Sequence, residues 1–167
     1  MATVPRETVF NEVRARQATV ADARELTRLR AVMIETFSSA RDDSWRSLCV
    51  ATFENALSDP DGPLQAFVTD APGEAGVLAS CAAGIITPRL PSPRNPHGKT
   101  GYILSVATDP GHRRLGHARA SVTALVEWFH SRGIHQIDLN ASEYAESLYR
   151  ELGFIEPYGR AMRLVTD

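Results

Sequence analysis

Apolar residues in the first third of the chain recur at helical spacing. Leu26, Leu29, Met33 and Phe37 lie three or four apart, which predicts one face of an α-helix. Thr19-Val20-Ala21-Asp22 stands before them, with a hydroxyl and an acid at capping-box spacing. Ser44 is placed to cap a second helix, with Trp45, Leu48, Cys49, Thr52 and Ala56 on one face. Asp59-Pro60-Asp61-Gly62 marks its end.

The texture then changes to short apolar runs. Leu64 to Thr69, Val77 to Thr87 and Tyr102 to Ala107 read as strands, separated by the Ala71-Pro72-Gly73 turn and a proline-rich loop. That loop, Pro88 to Thr100, carries Arg89, Arg94, His97 and Lys99. Its position before the Tyr102 strand places it beside any cleft formed along that strand, so it is expected to border a site there. Leu115, Ala118, Val122, Leu125 and Phe129 trace a third helix, stopped by Gly133. Ile134 to Leu139 reads as a strand. Ala145, Leu148, Tyr149 and Leu152 give a fourth helix ending at Gly153. Phe154 onward and Ala161 to Val165 read as closing strands. This order predicts a mixed sheet with helices on its faces.

Composition narrows the class. At 167 residues and 43% hydrophobic content, the chain fits one ordinary domain with a largely aliphatic core. Residues 1–12 read as a flexible polar start and residues 13–167 as the domain. A net charge of −2 argues against a nucleic-acid binder. Cys49 and Cys81 lie in apolar stretches and read as buried thiols. No signal-peptide core or membrane-length apolar run is present, so a cytoplasmic protein with no membrane partner is expected.

The chemistry concentrates between Val106 and Ala118, where a strand ends, Asp109-Pro110-Gly111 turns, and a long helix begins. The first N–H groups of a helix have no internal partner, and the helix dipole adds positive charge, so such a turn binds phosphate oxygens. Gly116 lets the backbone approach a bulky diphosphate, and Ala118 permits close packing. Arg113, Arg114 and Arg119 add cations suited to phosphate. A solvated helix start would look the same in so short a window. The P-loop and Rossmann glycine patterns are both missing. No serine-hydrolase elbow is present. His112 and His117 are five apart, as are His130 and His135, which aligns neither pair on one helix face for a metal.

Arg113-x-x-Gly116-x-Ala118, set after a strand and opening a helix, resembles the signature of the GNAT superfamily of N-acetyltransferases. Leu148-Tyr149-Arg150-Glu151-Leu152-Gly153-Phe154 resembles a second family feature, and Arg16 to Ala23 resembles the family's start. The resemblance covers roughly residues 13 to 167. It implies the GNAT fold: a mixed, mostly antiparallel central sheet flanked by about four helices. It also implies acetyl-CoA as co-substrate, with no metal, and direct transfer of acetyl to a primary amine of a small molecule or protein.

By the same resemblance, the diphosphate rests on the turn from Arg113 through Arg114, Leu115, Gly116 and His117 to Ala118. The pantetheine arm lies along Val106, Ala107 and Thr108 like an added strand, and a backbone N–H near Val106 meets the thioester carbonyl. Tyr149 takes the position of the general acid for the departing thiolate, although a tyrosine beside Leu148 and Leu152 would serve equally as a core aromatic. Asn140 and Ser142 either orient acetyl-CoA or the acceptor, or cap a helix. The strand from Tyr102 to Ala107 has no carboxylate; Glu35, Asp42 and Asp43 are the nearest candidates for a base, and a water chain would serve instead. A homodimer is compatible with the family. A non-catalytic acyl-CoA sensor or interaction module needs the same turn, but not Tyr149.

Overall fold

A computed structural model describes residues 12–39, 42–159 and 161–166. The expectation for residues 1–12 therefore lies outside the described residues, apart from Glu12. Five strands form one sheet: β1 (Arg16–Gln17), β2 (Leu64–Asp70), β3 (Leu78–Pro88), β4 (Lys99–Thr108) and β5 (Ile137–Asp138), in that spatial order. Strands β1 to β4 pair antiparallel, and β5 joins β4 in parallel. The helices are α1 (Ala23–Glu35), α2 (Trp45–Leu57), α3 (His117–Ser131) and α4 (Glu146–Glu151). The mixed, mostly antiparallel sheet and its four helices are the architecture expected.

The two faces of the sheet sort by strand parity. Cys81 and Ala83 of β3 pack with Leu26 and Leu29 of α1 and with Phe53 and Leu57 of α2. Ala82, between them in sequence, packs with Val122, Leu125 and Phe129 of α3 on the other face. The small side chains of β3 let α3 settle close. A Cβ on Gly84 or Gly101 would lie 2.7 Å from the Phe129 ring. Gly101→Ala should lower stability by about 1–3 kcal/mol through overpacking. Its urea midpoint should fall, and Phe129→Leu in the same chain should recover part of the loss.

Four expectations change. Helix α2 buries Phe53 and Leu57 and half-buries Cys49 and Val50, whereas Leu48 is 71% exposed. Apolar residues lie on several sides of this helix, so docking against α1, not periodicity, selects the face. Helix α3 starts at His117, and Leu115 is an exposed residue of the preceding turn. The strand read over Ile134 to Leu139 shortens to Ile137–Asp138. No strand forms over 154–159 or 161–166, where Ile155, Met162 and Leu164 are exposed. A strand needs a partner edge; β5 offers only two residues of one, and Pro157 has no N–H to donate.

Candidate functional site

Strand β4 carries an irregularity that the sequence does not announce. Ser105 pairs with Ala83 and Ile103 with Gly84, so Leu104 is an extra residue, a β-bulge. It inverts the side-chain alternation: Ile103 and Val106, three apart, face the same α3-side core. Strand β5 pairs only with Gly101 and Tyr102. Beyond Tyr102 the two strands part, and among the described residues that edge of β4, from Ile103 to Thr108, has no strand beside it. Its peptide groups are available to an extended ligand.

The turn beyond β4 is built for an anion. The Asp109 side chain caps a short 3₁₀ turn, Pro110–His112, by accepting the Gly111 N–H at 2.9 Å. Arg113 is extended, Arg114 has φ of 61°, and Gly116 has φ of 88° as the residue capping α3. Two left-handed residues within three positions turn the chain sharply, so the first N–H groups of α3 end in open space. A Cβ on Gly116 would find nothing nearer than Val13 Cγ2 at 4.0 Å. The space in front of it is free for a ligand. Arg113 and Arg114 make no ion pair among the described residues, while Arg119 pairs with Glu151 of α4.

The turn is anchored from below. Arg28 of α1 binds Asp109 Oδ2 at 2.7 Å, Glu25 at 2.7 Å and the Leu78 carbonyl at 3.0 Å. The Arg28 guanidinium and the Gly111 N–H together hold the Asp109 carboxyl below its usual range. His117, the first residue of α3, is buried, and its Nδ1 lies 2.9 Å from Thr69 Oγ1 of β2. Ser121 reaches Ser80 Oγ at 3.3 Å, as does Thr108. This polar ladder ties the start of α3 to β2, β3 and β4.

His112 and His117 meet edge to face at 5.7 Å, and His130 stacks on His135 at 5.8 Å. Single-helix spacing did not foresee either contact, because a left-handed glycine separates each pair. Burial, then the charge of His112, pushes the His117 pKa below the ordinary 6.5. The unfolded chain therefore binds the extra proton below about pH 6.5, and His117's contribution to stability is full above that pH and declines below it. The depressed carboxylate Asp109 loses its contribution only at lower pH, below about 4. Between pH 7 and 5.5, His117→Gln should show a smaller fall in melting temperature than the wild type. Equal falls would remove His117 from this account.

The turn, the β4 edge, α1 and α4 enclose a cleft of about 850 Å³, a size suited to a small-molecule site. Val106, Ala107 and Thr108 line it, as do Arg113, Arg114, Gly116, His117 and Ala118. The exposed Leu115 side chain does not. Asn140 instead donates its Nδ2 to Tyr102 Oη at 2.9 Å, outside the cleft lining. Ser142 lines the cleft and opens α4 through its carbonyl, which accepts the Ala145 and Glu146 N–H groups at 3.0 Å.

Tyr149 is 6% exposed and packs edge to face on Phe154 at 5.6 Å, behind the wall formed by Ala145 and Leu148. It shares a core cluster with Val106, which does line the cleft. Its hydroxyl has no protein hydrogen-bond partner among the described residues, and burial pushes its pKa up to about 12. The candidate bases lie elsewhere. Glu35 and Asp43 pair with Arg46, at 3.7 and 2.6 Å, and Asp42 binds Ser44 beside a separate hollow under Trp45. The loop between β3 and β4 contributes no residue to the cleft. It joins the far end of β4, where Arg89 Nε donates to Thr100 Oγ1 at 3.3 Å. The helical stripe did not reveal one wall of the cleft, Val32 and Met33 of α1 with Thr36 and Phe37 beyond it. The helix ends at Glu35, so Phe37, expected on its buried face, stands exposed in the turn that follows.

The model of the acetyltransferase (GNAT) family matches residues 26–154. A glucosamine 6-phosphate N-acetyltransferase of Trypanosoma brucei brucei is 36% identical over 64 residues, 38% of this chain and 43% of that protein. The chain thus spans less than half of that relative's length. A crystal structure of a predicted acetyltransferase with acetyl-CoA from Clostridium acetobutylicum superposes with a TM-score of 0.77 at 24% identity, covering 91% of this chain and 96% of that one. The glucosamine-6-phosphate N-acetyltransferase of Arabidopsis thaliana gives 0.70 at 17% identity, covering 93% of this chain and all of that one. At these identities the structural likeness speaks to the fold.

Proposed function

The chain belongs to the GNAT acetyltransferase family, and from that premise we propose that it transfers the acetyl group of acetyl-CoA directly to a primary amine. One observation carries this reading: an unpaired strand edge, Ile103 to Thr108, runs directly into an anion-binding turn at Gly116. An extended arm ending in a diphosphate needs both features, in that order. Acetyl-CoA supplies an activated thioester.

In this reading the N–H groups at the start of α3 receive diphosphate oxygens, and Arg113 and Arg114 neutralise them. The β4 backbone from Val106 to Thr108 pairs with the pantetheine arm, and an N–H near Val106 polarises the thioester carbonyl. Tyr149 lies outside the cleft lining, in the cluster that includes Val106, and would offer its O–H to the departing sulfur once the Ala145–Leu148 wall shifts. With its pKa pushed up to about 12, the phenol keeps its proton at neutral pH. The burial that raises the phenol makes it slower to surrender its proton than a free tyrosine. Tyr149 therefore acts chiefly by donating a hydrogen bond, and the amine's proton leaves through solvent in the open cleft. The working unit is residues 13–167 in a cytoplasmic setting, where acetyl-CoA is available. No described helix is long and apolar enough to cross a membrane.

The test incubates the protein with acetyl-CoA and a panel of amines while free thiol release is followed. Amine-dependent release supports the transferase. Acetyl-CoA binding with no amine-dependent release would favour an acyl-CoA-binding module.

A further inference from the structure

The cleft has two chemically different ends, and α1 shows which is which. Arg28, early in that helix, binds Asp109 just beyond β4, whereas Met33 Sδ lies 3.7 Å from Ser105 Oγ, within β4. Helix α1 therefore runs antiparallel to β4. Its last turn overhangs the strand about 10 Å before the anion turn, at roughly 3.3 Å per strand residue. At that end the walls are Val32 and Met33 from α1 and Thr36 and Phe37 just past its end, with Tyr144 and Leu148 from α4 and its approach. Phe37 is 61% exposed and Tyr144 is 91% exposed, so two aromatic faces stand open to whatever enters.

The charges are as one-sided as the apolar surface. Among the described residues the cleft lining carries Arg113 and Arg114 with no ion pair, Arg119 paired with Glu151 of α4, the imidazoles of His112 and His117, and no carboxylate of its own. Phosphates bound at the turn would offset the arginines and leave the far end neutral. A second ammonium group on an acceptor would find no carboxylate within that lining, only the exposed Glu143 between Ser142 and Tyr144 outside it, and would recover little of its lost hydration. An apolar or aromatic body would cover Phe37, Met33 and Tyr144 instead.

Resting on the transferase reading above, we propose that the acceptor is a primary amine on an apolar or aromatic body, with no second cationic group. The residues that select it are Met33, Phe37 and Tyr144. Polyamines, aminoglycosides and Lys-rich peptide tails are selected against by the missing carboxylates. Polar sugar amines are selected against by the apolar walls.

The test uses the whole chain and measures kcat/KM for 2-phenylethylamine, glucosamine 6-phosphate, spermidine and kanamycin at saturating acetyl-CoA. Phenylethylamine should exceed glucosamine 6-phosphate by about 10-fold, the value of burying one ring, and the two polycations by about 100-fold or more. Spermidine or kanamycin matching phenylethylamine would overturn the charge argument, and a preference for glucosamine 6-phosphate would overturn the apolar one. Failure of all four, while acetyl-CoA still raises the melting temperature, would remove this proposal, and the transferase reading would fall with it only if the wider amine panel also gave no thiol release. If other amines turn over and phenylethylamine does not, only this proposal falls. Two variants read the same walls separately. Phe37→Ala should raise the KM for phenylethylamine about 10-fold and leave that for acetyl-CoA unchanged. Thr36→Asp, which places a carboxylate at the apolar end, should raise kcat/KM for spermidine relative to phenylethylamine by about 10-fold. An unchanged ratio in a variant that still binds acetyl-CoA would count against the charge argument.

Discussion

Tyr149→Phe should lower kcat and kcat/KM together by about 10² while leaving acetyl-CoA binding intact. The ring and its contact with Phe154 at 5.6 Å remain, and the lost hydroxyl has no protein partner among the described residues, so folding stability should change by less than about 1 kcal/mol. General acid catalysis is typically worth about 10² to 10⁴. The lower end is expected here, because a phenol with a pKa near 12 supports a developing thiolate by donation more than by surrendering its proton. Equal losses in kcat and kcat/KM mark an interaction made only in the transition state. The defect should shrink with an acyl donor whose thiol is more acidic. Wild-type kcat in the variant, measured with an accepted amine, would return Tyr149 to the core. The cleft and its anion turn would stand, and the donor would be sought in an ordered water.

Gly116→Glu should abolish the rise in melting temperature that acetyl-CoA produces. A ligand at 100 times its Kd stabilises the folded chain by about 2.7 kcal/mol, a shift easily read in a thermal scan. Glutamate places bulk and negative charge in front of the N–H groups that would hold the diphosphate. The variant also carries backbone strain, because Gly116 has φ of 88°, a region that costs an ordinary side chain about 1–2 kcal/mol. Gly116→Asn separates the two effects, since asparagine tolerates the left-handed conformation and carries no charge. It should melt close to wild type without ligand and show a reduced shift with acetyl-CoA. NAD should shift none of the three proteins. If Gly116→Glu folds and binds acetyl-CoA normally, the diphosphate site lies elsewhere.

Much of this architecture is readable in one dimension. Leu26 and Leu29, and Val122, Leu125 and Phe129, are buried as their helical spacing predicts. The sheet strands follow from apolar runs punctuated by Pro and Gly. The anion turn is legible because its function depends on local backbone: a glycine at a left-handed position, a helix start, and arginines beside both. Local conformation is encoded locally, so a window of a dozen residues suffices.

The cleft itself is a different matter, because each of its walls depends on a distant partner. The bulge at Leu104 is set by the register of β4 on β3, and the parting of β4 and β5 by where their pairing stops, at Tyr102 and Asp138. Neither has a residue-type signature. Val32 and Phe37 reach the cleft because Leu26 and Leu29 dock α1 on the sheet and Arg28 pins it to Asp109, 81 positions away in sequence. The proline loop misled for the same reason: its neighbour in sequence is β4, yet it joins the end of that strand far from the turn. Residues 154–159 and 161–166 have strand-like side chains but no strand, since β propensity takes effect only against an available edge. Helices α1 and α3, strands β2 to β4 and the anion turn are legible in the chain because they rest largely on contacts within a few residues. Tertiary structure alone decided which edge stayed open, which helix end overhung it and which side chains faced the gap, because those depend on register and docking between segments far apart in the chain.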